Sequence, residues 1–119
     1  MQTDRRTNRS HIPGEALALA LASATHREGA HAAVLADEDG FLLAGVGPGI
    51  DHEWIAALAP AAAELSPVHR ERLLERSHGK PLHVAPITVQ GSRMFLASLG
   101  ACLTDVARVE AAADRILAA

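Results

Sequence analysis

Tyrosine is absent from this sequence, phenylalanine occurs twice and tryptophan once, so aromatic residues make up 3% of the 119. A core with so few rings must be built from closely packed aliphatic layers, and Ala, Leu and Val are abundant enough to supply them. The single cysteine, Cys102, excludes an internal disulfide and fits a reducing cytosol. Its apolar setting, LGACL, predicts a small buried hydrophobe. No run approaches the ~18 apolar residues of a membrane span, and the N-terminal residues lack the apolar h-region of a signal peptide. Clustered positive charge is missing too. The net charge is −3, and Arg5, Arg6 and Arg9 are confined to the first ten residues, which leaves an acidic remainder. Phosphate contacts need grouped Lys and Arg, so nucleic acid is not the expected partner. These absences together predict a soluble, cytoplasmic protein.

What is present is a globular balance, 49% hydrophobic and 21% charged, in a chain long enough for one domain and too short for two. Residues 1–12 are polar and Arg-rich and read as a loose tail, with a single domain over 13–119. Pro13-Gly14-Glu15 opens ALALALASATHREG, rich in strong helix formers, with Leu17, Leu21 and Ala24 on one face and Gly29 as a stop. Two short apolar runs then flank Asp37-Glu38-Asp39-Gly40, a hairpin signal because glycine tolerates φ > 0. They predict strands over 31–37 and 41–46, both in the middle of a sheet. After a glycine loop, Asp51 caps a helix whose inward face reads as Trp54, Ile55, Leu58, Ala61, Ala62 and Leu65. Pro60 is expected to bend or divide that helix.

Residues 68–80 read either as a helical turn or as a charged edge strand of the kind that resists sticking to neighbours. PLHVAPITV and RMFLASLG predict two strands joined at Gln90-Gly91-Ser92, with a bulge at Pro86 where the apolar parity changes. Thr104 or Asp105 caps a last helix with Leu103, Val106, Val109, Ala113, Ile116 and Leu117 inward. Antiparallel hairpins with helices layered on them make an α+β domain.

The chemical motifs are thin. GVGPGIDHEW (residues 45–54) resembles a phosphate loop entering a helix, but its spacing is not that of a dinucleotide fingerprint and it lacks the G-K-[ST] of a P-loop. It reads as a flexible strand-to-helix connection. His26, His31, His52, His69, His78 and His83 are scattered without metal-ligand spacing. No motif surrounds Cys102 or any serine, and the acids of the 37–39 turn read as solvated. No catalytic, cofactor-binding or metal-ligating set is expected, and so no enzyme. Trp54 stays open between a core residue and an interface anchor.

In this order, AAVLADEDGFLLAGVG, AALAPAAAEL, RMFLASLG and VARVEAAADRILAA resemble the first hairpin, second helix, last strand and closing helix of the Roadblock/LC7 family, whose bacterial members partner small Ras-like GTPases. The resemblance covers roughly residues 14–118. It implies a profilin-like α-β-β-α-β-β-β-α fold, a five-stranded antiparallel sheet between one helix and two. It also implies a homodimer that pairs third strands and second helices, which places Leu73 and Leu74 on the pairing strand and Trp54, Ile55 and Leu58 on the helix at the interface. The implied work is regulatory: binding a small Ras-like GTPase or a larger complex, with no cofactor and no chemistry of its own. A small-ligand sensor of PAS/GAF-like layout is the alternative.

Overall fold

The computed structural model describes residues 2–64 and 82–118, and in that span it contains three helices and four strands. They run in the order α1 (Gln2–Glu28), β1 (Ala32–Asp37), β2 (Leu42–Val46), α2 (His52–Glu64), β3 (Leu82–Val89), β4 (Ser92–Leu99) and α3 (Val106–Ala118). The strands form one antiparallel sheet in the order β2-β1-β4-β3. The expected fifth strand, with Leu73 and Leu74, falls on residues that lie outside the described ones.

Both faces of the sheet are covered. Helices α1 and α3 lie side by side on one face, α1 chiefly over β2 and α3 over β3, while α2 crosses the other. Period-2 alternation along the strands therefore feeds two cores. Ala33, Leu35, Met94, Leu96, Ile87 and Val89 meet Leu17, Leu21, Val109 and Ala113 on the first face. Ala32, Val34, Phe95, Ala97 and Leu99 meet Ile55, Ala56, Ala59 and Ala62 on the second. Strand β1 is buried on both sides, with Leu35 at 0% exposure. Strand β2, expected in mid-sheet, instead lies at the end of the strand order and is only half-buried.

Three local expectations are revised. Helix α1 starts at Gln2 with Pro13 inside it, where the sequence pattern predicts a helix start at Pro13; the φ that a proline ring fixes is compatible with a helix. Pro60 likewise sits inside an unbroken α2. No bulge occurs at Pro86, since β3 and β4 stay in continuous register from Leu82↔Leu99 to Val89↔Ser92. The change of parity has another cause: the first half of β3 buries Leu82 against the α2 side, and the second half buries Ile87 and Val89 against the α3 side. The irregularity in the sheet is between Leu35 and Ala36, opposite β2.

The connections are built by named groups. Asp37 organises the first hairpin, its Oδ1 accepting from the backbone N–H of Asp39 and of Phe41 at 2.9 Å each. Gly40 has φ 86° and sits against α2, where a Cβ would lie 3.2 Å from Ala57 Cα. Helix α1 ends at Gly29, with the Ala30 N–H donating to Thr25 O at 3.1 Å, a wrapped C-terminal turn that satisfies an otherwise orphaned carbonyl. Its last residue, Glu28, reaches across to the loop before α3, accepting from Thr104 N–H at 3.1 Å and from Thr104 Oγ1 at 2.9 Å. Those hydrogen bonds from Thr104 hold the Glu28 carboxyl below the usual carboxylate range.

Gly40→Ala is expected to destabilise the fold by about 1–3 kcal/mol, from the left-handed backbone and the forced retreat of α2; chemical denaturation measures it. Because the Glu28 pKa is lowered on folding, its contribution is present above the ordinary carboxylate range and lost as pH falls through the lowered folded value. The melting temperature of the native chain should therefore exceed that of Glu28→Gln near neutral pH, and the two should converge as the pH falls below the ordinary carboxylate range. A constant difference across that range would contradict the assignment.

Candidate functional site

Helix α2 has two apolar stripes. Ile55, Ala56, Ala59 and Ala62 face the sheet and are buried. Trp54, Ala57, Leu58 and Ala61 recur at three- and four-residue steps on the other side, with Ala57 and Ala61 exposed and Trp54 and Leu58 half-buried. The inward face predicted from the sequence mixed the two sets. Ile55, expected at an interface, is 1% exposed and packs onto the sheet, so it supports the outer stripe from below. Trp54 packs its inner side against the same core as Ile55, leaving part of the ring outside.

The helix start is fixed. Asp51 Oδ1 accepts from the Trp54 N–H at 3.1 Å, and Asp51 O accepts from the Ile55 N–H at 3.2 Å. This is an N-cap. A phosphate at this helix end would meet the Asp51 carboxylate, which already occupies the anion position. The glycines before it have packing reasons. A Cβ on Gly45 would lie 2.7 Å from His52 Cγ, and one on Gly47 would lie 2.6 Å from His31 O. His52 Nε2 lies 2.9 Å from Gly47 O; a carbonyl only accepts, so Nε2 is the donor. The loop folds back on the histidine that begins α2.

The second feature is the outer edge of β3. Val89 and Ser92 close a two-residue hairpin, with φ 51° at Gln90 and 75° at Gly91, and such a closing pair is hydrogen-bonded. Counting back along the ladder, Thr88, Pro86, Val84 and Leu82 are the positions whose backbone groups point away from β4. Pro86 has no N–H to offer. The Thr88 N–H donates to Glu110 Oε2 at 2.9 Å. Beyond the strand, the Gln90 N–H donates to Asp114 Oδ1 at 2.9 Å and Gln90 Nε2 to Asp114 O at 3.0 Å. Helix α3 thus seals the hairpin end of this edge, and the outward N–H groups of Leu82 and Val84 have no acceptor among the described residues. An added strand has a joint only along the first half of β3.

Among the described residues no three of His, Cys, Asp or Glu converge as a metal ion requires, and no helix is long and apolar enough to cross a membrane. Cys102 corrects its expectation: it is exposed, because the chain has left β4 and Leu103 beside it takes the buried position. Leu73 and Leu74 lie outside the described residues, so only Trp54, Ile55 and Leu58 of the expected interface set have a described place, all on α2.

One helix on one face and two on the other, around an antiparallel sheet, is the α+β arrangement of the Roadblock fold. Among solved structures the fold is that of MglB. The gliding protein MglB of Thermus thermophilus superposes with a TM-score of 0.57 at 22% identity, covering 87% of this chain and 90% of that one. An MglB with tetrameric arrangement gives 0.50 at 20% identity, with 87% and 84% covered, and Myxococcus xanthus MglB gives 0.48 at 17% identity, with 87% and 85% covered. No family model and no curated protein matches the sequence.

If the carboxylates on α3 seal the edge, Glu110→Ala should speed hydrogen exchange at the Thr88 amide, and Asp114→Ala at the Gln90 amide, while the amides of β1 keep their protection. Amide-resolved exchange by NMR measures both. Unchanged rates at Thr88 and Gln90 would mean that water already opens these contacts.

Proposed function

We propose that this chain is a non-enzymatic regulatory module that works as a homodimer and binds a small Ras-like GTPase or a larger complex. The observation that carries this reading is the second apolar stripe of α2. A helix apolar all round is normally covered all round, and the sheet covers only one side of this one. Alanines at 57 and 61 let another helix approach closely, with Trp54 and Leu58 as the larger contacts at the margins. A second copy supplies the same stripe in the reciprocal position, as two-fold symmetry requires.

Helix α2 alone is too small for the task. Its 13 residues span about 20 Å, a footprint of roughly 200 Å² at a helix width of ~10 Å, against the roughly 800 Å² per partner of a stable interface. A second joint is needed. In this reading residues 68–80 supply it as the fifth strand, paired to β3 at Leu82 and Val84, with Leu73 and Leu74 on the strand that meets its symmetry mate. The MglB fold supports this placement, and an MglB with tetrameric arrangement is an example of that protein assembling from several copies. Binding of a small Ras-like GTPase, and any effect on its GTP hydrolysis, extends the same reading to the dimer as a platform.

Light scattering across a dilution series should give twice the 12.5 kDa chain mass. Ala57→Glu and Ala61→Glu, both at exposed positions, should leave the stability of the monomer within about 1 kcal/mol of the native chain. Each should weaken self-association at least tenfold, because a carboxylate would be buried at the contact. A native chain that is monomeric at all concentrations, or charged variants that dimerise as well as it does, would overturn the α2 contact. Equal binding of a Ras-like GTPase in its GDP and GTP forms would remove a switch-dependent role.

A further inference from the structure

A cavity of about 150 Å³ lies between the sheet and the start of α3, on the face covered by α1 and α3. Its apolar wall is Leu96, Leu103 and Val106, and its polar wall is His83 on β3, Ser98 on β4 and the exposed Cys102. The cavity exists because of what the strands place there. Along this face β4 presents Met94 and Leu96, both buried among helix side chains, and then Ser98. Opposite it, β3 presents Ile87, which is buried in the same core, and then Ala85, which lines the cavity beside Val106 at the start of α3. Large side chains give way to a hydroxyl and a methyl group, and the helices do not close the gap.

Ser98 is the one buried polar residue among the described ones, at 3% exposure. Its side chain lines the cavity together with that of His83, which stands directly across the ladder from it. A hydroxyl and an imidazole side by side on one cavity wall offer both a donor and an acceptor to a polar atom. Apart from Cys102, the other described side chains of the wall are aliphatic, and the volume is about that of a benzene-sized guest.

We propose that this cavity is a binding site for a small, largely apolar molecule that carries one hydroxyl group and is about the size of phenol. The hydroxyl bonds to Ser98 Oγ and the His83 ring, and the hydrocarbon part lies against Leu96, Leu103 and Val106. The site is on the opposite face of the sheet from α2, so it does not depend on the dimer reading and fails or stands separately from it.

Phenol is the probe, and the single thiol is the reporter. Saturating phenol should slow alkylation of Cys102 by iodoacetamide severalfold in the native full-length chain and shift the amide resonances of His83 and Ser98 in a saturable manner. Ser98→Val, which removes the hydroxyl at similar volume, should weaken phenol binding severalfold. Ala85→Leu, which fills the cavity, should abolish the protection. Circular dichroism and melting temperature establish that both variants are folded; if Ala85→Leu does not fold, the titration of the native chain and Ser98→Val decide. An alkylation rate unaffected by phenol, or protection that is equal in the native chain and in a folded Ser98→Val, would overturn the proposal.

Discussion

The β1–β4 pair is the constraint around which the domain is arranged. These two strands lie in the interior of the described sheet order, pair from Ala32↔Leu99 to Asp37↔Met94, and are buried on both faces over nearly all of that stretch. A strand buried on both faces has no polar side to give to solvent, so helices must cover both sides of the sheet. Four of the buried side chains of the pair are alanines, Ala32, Ala33, Ala36 and Ala97, at positions where larger residues would hold the helices away. Scarcity of rings and closeness of layers are thus one fact. With little bulk between them, α2 lies near enough to the first hairpin that a side chain at position 40 would crowd Ala57, and the loop before α2 folds so tightly that Gly45 and Gly47 have no room for a side chain.

That closeness also separates structural glycines from functional ones. A glycine-rich stretch before a helix is ambiguous in sequence, because a phosphate cradle and a tight packing turn need the same residue. The two differ in what stands where a side chain would be. Here it is the protein itself, His52 beside Gly45 and the His31 backbone beside Gly47, and Asp51 takes the anion position at the helix end.

The strands, both hairpin turns, the closing helix with its inward residues, and the α+β layering were all legible in the sequence, because each has a local cause: alternation, a turn glycine, a 3.6-residue period. The facing of α2 was not legible. Between His52 and Glu64 nearly every position is apolar, so two stripes satisfy the period equally, and only the packed sheet chooses Ile55, Ala56, Ala59 and Ala62 for the inside. The parity change at Pro86 misled for a related reason. A bulge and a change of covering helix leave the same pattern of apolar residues, and only the register separates them. Cys102 shows the limit of apolar context as a guide to burial, since one step along a loop was enough to exchange its place with Leu103. The tertiary hydrogen bonds of Glu28, Glu110 and Asp114 had no sequence signal at all, for each joins residues 22 or more positions apart.

Those long-range carboxylates connect the core to the surface that is left for partners. Helix α1 lies over β2 at one margin of the sheet, and α3 places Glu110 at the other, where its carboxylate takes the Thr88 N–H. An exposed strand edge recruits strands without limit. On β3 the recruiting length is cut by a proline that cannot donate and a carboxylate that accepts in place of a neighbouring strand, which leaves Leu82 and Val84. A joint that short is weak by itself, and so is the alanine stripe of α2 by area. Among the described residues, the domain thus combines a doubly covered core with two features that the core leaves open, the outer stripe of α2 and the first half of the β3 edge.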